Sequence, residues 1–388
     1  MLGDLDQDVA DHPGDCAGDS VHDLHELARR GMQQARQRLL LLQRLDGSSL
    51  PFVHAPIIPS GTEATPWRVP ICVKRVLPVL AAAALLAPAS QARISSGKVY
   101  ALVTAETLNQ LVVVESGRVI KRLPMPAEPE NVEAFPNETA VVVSTRAGAV
   151  TVVDTRRLQI RRVLGGFDSP HIAAFSPDGT LIYVTDDARG ELAVIGNRVL
   201  DKVFVGFGAH HIAVGPKGRR LWIALGERAR SISIVNTANP RRPKAVGRVD
   251  PHGLAHDLAF TPDGRYVWVT YDAGSVIRVF STRTRQPVAT IYGGTPPQHV
   301  LFGRAGTVFE HTAYVTSGND GTVREFRWRD RKLLRILHTP GGSFNLSAEF
   351  GWLATASLTQ GIVSDFAGAR RNSIRVAPAT RDVALATP

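Results

Sequence analysis

The chain is 388 residues long, its apolar fraction of 44% is that of a folded globular protein, and it carries a formal charge of +10, so intrinsic disorder is excluded for the bulk of it. The basic excess lies mostly in Arg residues scattered along the chain, in short pairs such as Arg156-Arg157 and Arg219-Arg220. That pattern reads as solvated surface, not as a nucleic-acid-binding face.

Residues 1–72 share no pattern with the rest of the chain: an amphipathic helix is predicted over 21–45, and a Pro-rich run covers 51–70. Val73-Lys74-Arg75, the apolar run 76–87 and Pro88-Ala89-Ser90-Gln91-Ala92 then supply the basic, apolar and small-residue regions of a secretory signal. The apolar run is too short to span a bilayer. This pattern implies that translation starts at Val73 and that residues 1–72 are an upstream non-native translation or a disordered extension. The mature chain then begins near Arg93 and is exported to the periplasm, the cell surface or the medium. The alternative is a genuine N-terminal extension followed by a buried apolar segment. Cys16 and Cys72 both precede Arg93, so on this reading the mature protein has no disulfide, no Cys nucleophile and no Cys-ligated metal.

From Lys98 onward one phrase recurs. Pro170-His171-Ile-Ala-Ala-Phe-Ser-Pro-Asp-Gly179, Ala209-His210-His211-Ile-Ala-Val-Gly-Pro-Lys-Gly218 and Ala255-His256-Asp-Leu-Ala-Phe-Thr-Pro-Asp-Gly264 align without gaps. Looser copies begin at Asn131, Gln298 and Ser343, and the copy from Gln298 carries an insertion near Phe309. Each phrase is a strand running into a tight turn, with Pro presetting φ and Gly free to take φ > 0. A second strand (Tyr183-Val-Thr, Leu221-Trp-Ile, Tyr314-Val-Thr), a third and an Arg-rich edge strand come next. Four short strands per period predict the blade of a β-propeller. Lys98 to Thr104 reads as a second strand lacking a first, while the segment from Arg381 to Pro388 reads as a first strand lacking a second. Joined, they make a seventh blade and close the ring, which removes open sheet edges. The fold class is therefore all-β, a seven-bladed propeller over 93–388, with Trp222 and Trp268 packing between blades.

The phrase H-x-h-A-F-S-P-D-G followed by Tyr183-Val184-Thr185-Asp186, and again Tyr314-Val315-Thr316-Ser317, resembles the YVTN-type repeat of bacterial seven-bladed propellers, a superfamily that includes the lactonase-like propellers. The resemblance covers about 96–388. It implies the fold; for function it spans enzymes, electron-transfer subunits and binding proteins.

In a propeller the first strand of each blade lines the central channel, so the residues opening those strands form its mouth: Asn131, His171, His210, His256, Gln298, Ser343 and Arg381. The hairpins on the same face bring Asp186, Asp187, Glu227, Asp272, Asn319 and Asp320 to the rim. A preformed polar concavity of this kind is the expected site for a small molecule or a protein partner. His171, His210 and His256 also suit a metal ion such as Cu or Zn. A residue type that recurs from blade to blade can equally tie loops together, and residue pattern alone favours that structural role over ligation. Strand alternation predicts that His211 and His299 turn away from the channel and that Asp257 leans between blades. No organic cofactor is implied, since Walker, G-x-G-x-x-G and G-x-S-x-G motifs are lacking. The reading is an exported, monomeric binding or interaction module. A lactonase-like hydrolase using His256 with Asp257, or His171 with Asp168, is the first alternative, and a metal-binding or redox-partner propeller the second.

Overall fold

The computed structural model describes residues 98–226 and 230–388. The expectations for residues 1–72, for the signal segment 73–92, for both cysteines and for Glu227 lie outside the described residues. Within them, seven four-stranded antiparallel sheets succeed one another along the chain. Their innermost strands are Thr380–Ala386, Pro129–Phe135, Pro170–Phe175, Ile212–Val214, Ala255–Phe260, Val300–Phe302 and Ser343–Glu349, belonging to blades one to seven in that order. Each innermost strand touches those of the blades on either side, so the sheets form a closed ring around an axial channel. The C-terminal strand pairs antiparallel with Tyr100–Ala105 and completes blade one, as the two orphan strand patterns require. Among the described residues no helix is long and apolar enough to cross a membrane.

Strand character varies with depth in the blade. Middle strands such as Ile182–Asp186 and Ala149–Asp154 are buried throughout, because neighbouring blades cover both faces, and they are mostly apolar, with a Thr and a terminal Asp in each. Outermost strands such as Arg370–Arg375 are exposed and charged, which blunts their free edges. Trp222 and Trp268 fill the gaps between blades four and five and between five and six, as their second-strand positions imply. Packing also fixes the turns: in Ser176-Pro177-Asp178-Gly179 the Ser176 hydroxyl donates to Asp178 at 2.6 Å and the Gly179 N–H donates to the Ser176 carbonyl at 2.8 Å. Gly179 sits at φ 68°, and a Cβ there would collide with the Phe135 ring of the preceding blade. Thr261-Pro262-Asp263-Gly264 repeats the same bonds.

Candidate functional site

At the top of the innermost strands the pairing register shifts, between Pro129 and Asn131, Pro170 and Ala173, Ala255 and Leu258, and Ser343 and Asn345. In blade four, His210 donates to the Ala224 carbonyl and Ala224 donates to the His211 carbonyl, both at 2.9 Å. Gln298 and His299 share Thr316 in the same way. Two residues facing one across a ladder is a β-bulge, a device that re-aims side chains. In blades three, five and six the bulge is held by the Thr that ends Tyr-Val-Thr or Trp-Val-Thr. The Thr185, Thr270 and Thr316 hydroxyls accept the N–H of Ile172, Asp257 and His299 at 3.2, 3.0 and 3.0 Å. Each of these hydroxyls then donates to a carbonyl of the next blade, that of His210, Gln298 and Phe344 respectively. One hydroxyl thus fixes a bulge and staples two blades.

The consequence is that two successive residues per blade reach the channel, in two rings. Glu130, His171, His210, His256, Gln298, Phe344 and Arg381 make the outer ring around a cavity of about 270 Å³. Asn131, Ile172, His211, His299, Asn345 and Asp382 line both that cavity and a larger one of about 710 Å³ beyond it, which Asp257 also lines. Expectation and structure differ here: His211 and His299 face the channel, because the bulge breaks the alternation that would have turned them away. Two of the expected mouth residues are also displaced by one position. Asn131 belongs to the inner ring, with Glu130 in its place at the mouth. Ser343 is buried, donating its hydroxyl to the Pro340 carbonyl at 2.7 Å, while Phe344 and Asn345 line the cavity. His171, His210, His256, Gln298 and Arg381 stand at the mouth as the repeat alignment requires.

Five imidazoles, those of His171, His210, His211, His256 and His299, converge in this throat. One ring nitrogen from each of His171, His210 and His211 lies within 4.8 Å of the other two, and the same holds for His211, His256 and His299. The His171 and His210 rings stack with centroids 3.7 Å apart, and His211 stands 4.8 Å from both His256 and His299. Every one of these rings directs Nδ1 at a carboxylate: His171 at Glu130 (3.4 Å), His210 at Asp187 (3.2 Å), His256 at Asp272 (2.7 Å) and both His211 and His299 at Asp257 (3.2 and 3.4 Å). An ionised carboxylate only accepts, so Nδ1 carries the hydrogen and Nε2 keeps its lone pair.

Burial sets the charge. His171 is pushed down to about 4, mainly by burial, with Glu130 opposing. Burial likewise holds His211 well below its ordinary value. Burial works against ionisation of Asp257 too, yet the hydrogen bonds from His211 and His299 outweigh it and keep this carboxyl below the usual carboxylate range. Deeper in the channel Glu133 is pushed up to about 8 by burial and by the nearby Asp382 and Asp257. His171 and His211 are therefore neutral imidazoles, backed by the anionic carboxylates of Glu130 and Asp257.

The remaining rim residues divide. Asp187 and Asp272 orient His210 and His256. Asp186 is buried and accepts the N–H groups of Asp168 and Ser169 at 2.9 and 3.1 Å, a loop anchor rather than a rim group. Asp320 accepts the Thr295 N–H at 2.9 Å and pairs with Arg324, and Asn319 is exposed in the adjacent turn. Asp257 does lean between blades: besides the two imidazoles, it accepts the Val300 N–H of the next blade at 2.9 Å. Asp382 does the same for Val132, also at 2.9 Å.

No family model and no curated protein matches the chain. Solved structures do. A functionally unknown protein from Desulfotomaculum acetoxidans DSM 771 superposes with a TM-score of 0.65 at 14% identity, over 74% of this chain and 99% of that one. Apo AztD from Citrobacter koseri gives 0.58 at 11% identity, over 74% and 98%. Kuenenia stuttgartiensis hydrazine synthase gives 0.56 at 13%, over 66% and 89%. At these identities the likeness is one of fold, the seven-bladed propeller.

Proposed function

We propose that the protein is an exported metal-binding propeller, holding a borderline divalent ion such as Zn²⁺ or Cu²⁺ in the histidine throat. The observation that carries this reading is that five imidazoles line one cavity, each with Nδ1 on a carboxylate, which leaves Nε2 as the nitrogen that can ligate. Carboxylate partners of this kind fix the tautomer of metal-ligating histidines and raise their basicity. Imidazole suits Zn and Cu, and His171 and His211 are neutral at pH 7, so these two need lose no proton to bind. Three imidazoles leave at least one coordination position open to solvent or to a donor from a partner. Export is inferred from the signal-like pattern of residues 73–92.

Elemental analysis after dialysis against Zn²⁺ or Cu²⁺, with and without His211→Asn, tests the proposal. Stoichiometric metal in the wild type and its loss in the variant are expected, whereas equal and negligible metal in both would refute it. The His256–Asp272 contact at 2.7 Å is also the pair a lactone hydrolase would use as a general base. Turnover of sugar lactones by metal-free protein, abolished in Asp272→Asn, would favour that second reading.

A further inference from the structure

The five histidines fall into two three-ring sets, His171–His210–His211 and His211–His256–His299, and His211 belongs to both. That shared membership has a chemical consequence. Nδ1 of His211 is engaged by Asp257 at 3.2 Å, so the ring has one nitrogen left for a metal. Bridging two ions through one imidazole would need both nitrogens, and hence loss of the Asp257 bond. Two dications held a few ångströms apart also repel strongly. The sets differ in access: His171, His210 and His256 line the cavity at the mouth alone, while His211 and His299 also face the larger inner cavity.

Resting on the metal-binding reading above, we propose that the throat is a two-station site for a single ion, an outer station of His171, His210 and His211 and an inner one of His211, His256 and His299, filled one at a time. His211 is the pivot: an ion passes from the mouth side to the inner cavity by exchanging two ligands while keeping the third. Around a tetrahedral ion with nitrogens at about 2.0–2.1 Å, the ligands stand roughly 3.3 Å apart. Either set, with its nitrogens within 4.8 Å, therefore closes by modest ring rotations.

Copper(II) is the probe, read by stoichiometry and by electron paramagnetic resonance. His171→Gln disables the outer station, His299→Gln the inner one, and a double variant both; circular dichroism and melting curves establish that each is folded. The wild type is expected to bind one copper per chain. Each single variant is expected to keep one copper with its own spectrum, the wild-type spectrum matching one of these or their mixture, and the double variant to lose affinity at least about 100-fold. Two dipolar-coupled coppers in the wild type would overturn exclusive occupancy. Loss of binding in both single variants would mean one indivisible site, and tight binding by the double variant would also overturn the assignment. Absence of copper from the wild type itself would refute the metal reading on which the two stations rest.

Discussion

Replacing Asp257 by Asn tests the throat at its most connected group. Its carboxylate accepts from His211 Nδ1 at 3.2 Å, His299 Nδ1 at 3.4 Å and the Val300 N–H at 2.9 Å. At 8% exposure, solvent does little to replace a lost partner. Asn is nearly the same shape, but its single carbonyl cannot serve all three donors, and its NH₂ confronts one of them with a second donor. A charge-assisted bond is worth about 1.5–3 kcal/mol, and an unsatisfied buried donor costs about the same. The variant is therefore expected to lose about 2–4 kcal/mol, or roughly 3–7 °C of melting temperature for a domain of this size. Freed of their acceptor, His211 and His299 no longer hold one tautomer, and Zn²⁺ affinity falls by about 10–100-fold. Thermal melts in chelator measure the first effect and competition with a Zn²⁺ indicator measures the second. A melting temperature within about 1 °C of wild type in chelator would refute the claim that this carboxylate organises the throat.

The second-strand hydroxyls should matter almost as much: Thr270→Val keeps the shape but strips the acceptor of the Asp257 N–H and the donor to the Gln298 carbonyl, costing about 1–3 kcal/mol in a urea melt. Acid should destabilise the protein through the buried throat histidines. The folded His171 ring, down at about 4 against an ordinary value of 6.5, refuses a proton that the unfolded chain accepts. Stability then falls as pH drops from about 6.5 toward 4, by up to about 3 kcal/mol from this residue, with His211 adding in the same sense. Melts across that range, flattened in His171→Gln, check the sign. Glu133 acts oppositely: raised to about 8, it favours the folded state below its ordinary range and loses that contribution as pH rises through 8. Glu133→Gln should therefore exceed wild-type stability at pH 9, by about 2 kcal/mol after allowing for water in the channel. Ending the chain at residue 379 removes the strand that closes blade one. The product is expected to lose its cooperative melt and to associate through the exposed edge, as size-exclusion chromatography would show.

The architecture was legible because a propeller repeats its turn chemistry. Ser-Pro-Asp-Gly and Thr-Pro-Asp-Gly announce the same bonds in blades three and five, and once the turns are laid over one another, the unpaired strands at the two ends identify each other as the halves of blade one. The three aligned histidines were legible for the same reason. What escaped the residue pattern was the bulge, because period-two alternation assigns opposite faces to His210 and His211, and to Gln298 and His299, and nothing in the first strand marks the extra residue. In blades three, five and six the mark lies 13 to 17 residues away, in the Thr that ends Tyr-Val-Thr or Trp-Val-Thr. Its β-branched shape suits a strand, but its burial makes sense only once its hydroxyl is seen to hold a misaligned N–H. Thr185, Thr270 and Thr316 then foretell a two-residue step at the head of their own strands, which brings His299 into the channel; blade four makes the same step opposite Ala224 with no Thr to mark it, and His211 there completes the rise from three imidazoles to five. The looser copies lack this guide: the position of Thr185 falls on Val143 in blade two and on Ala356 in blade seven, and there the repeat alignment places Asn131 and Ser343 one position away from the mouth residues Glu130 and Phe344. A hydroxyl that staples blades thus also sets how many side chains the throat can offer a ligand, which ties the stability of the ring to the composition of its site.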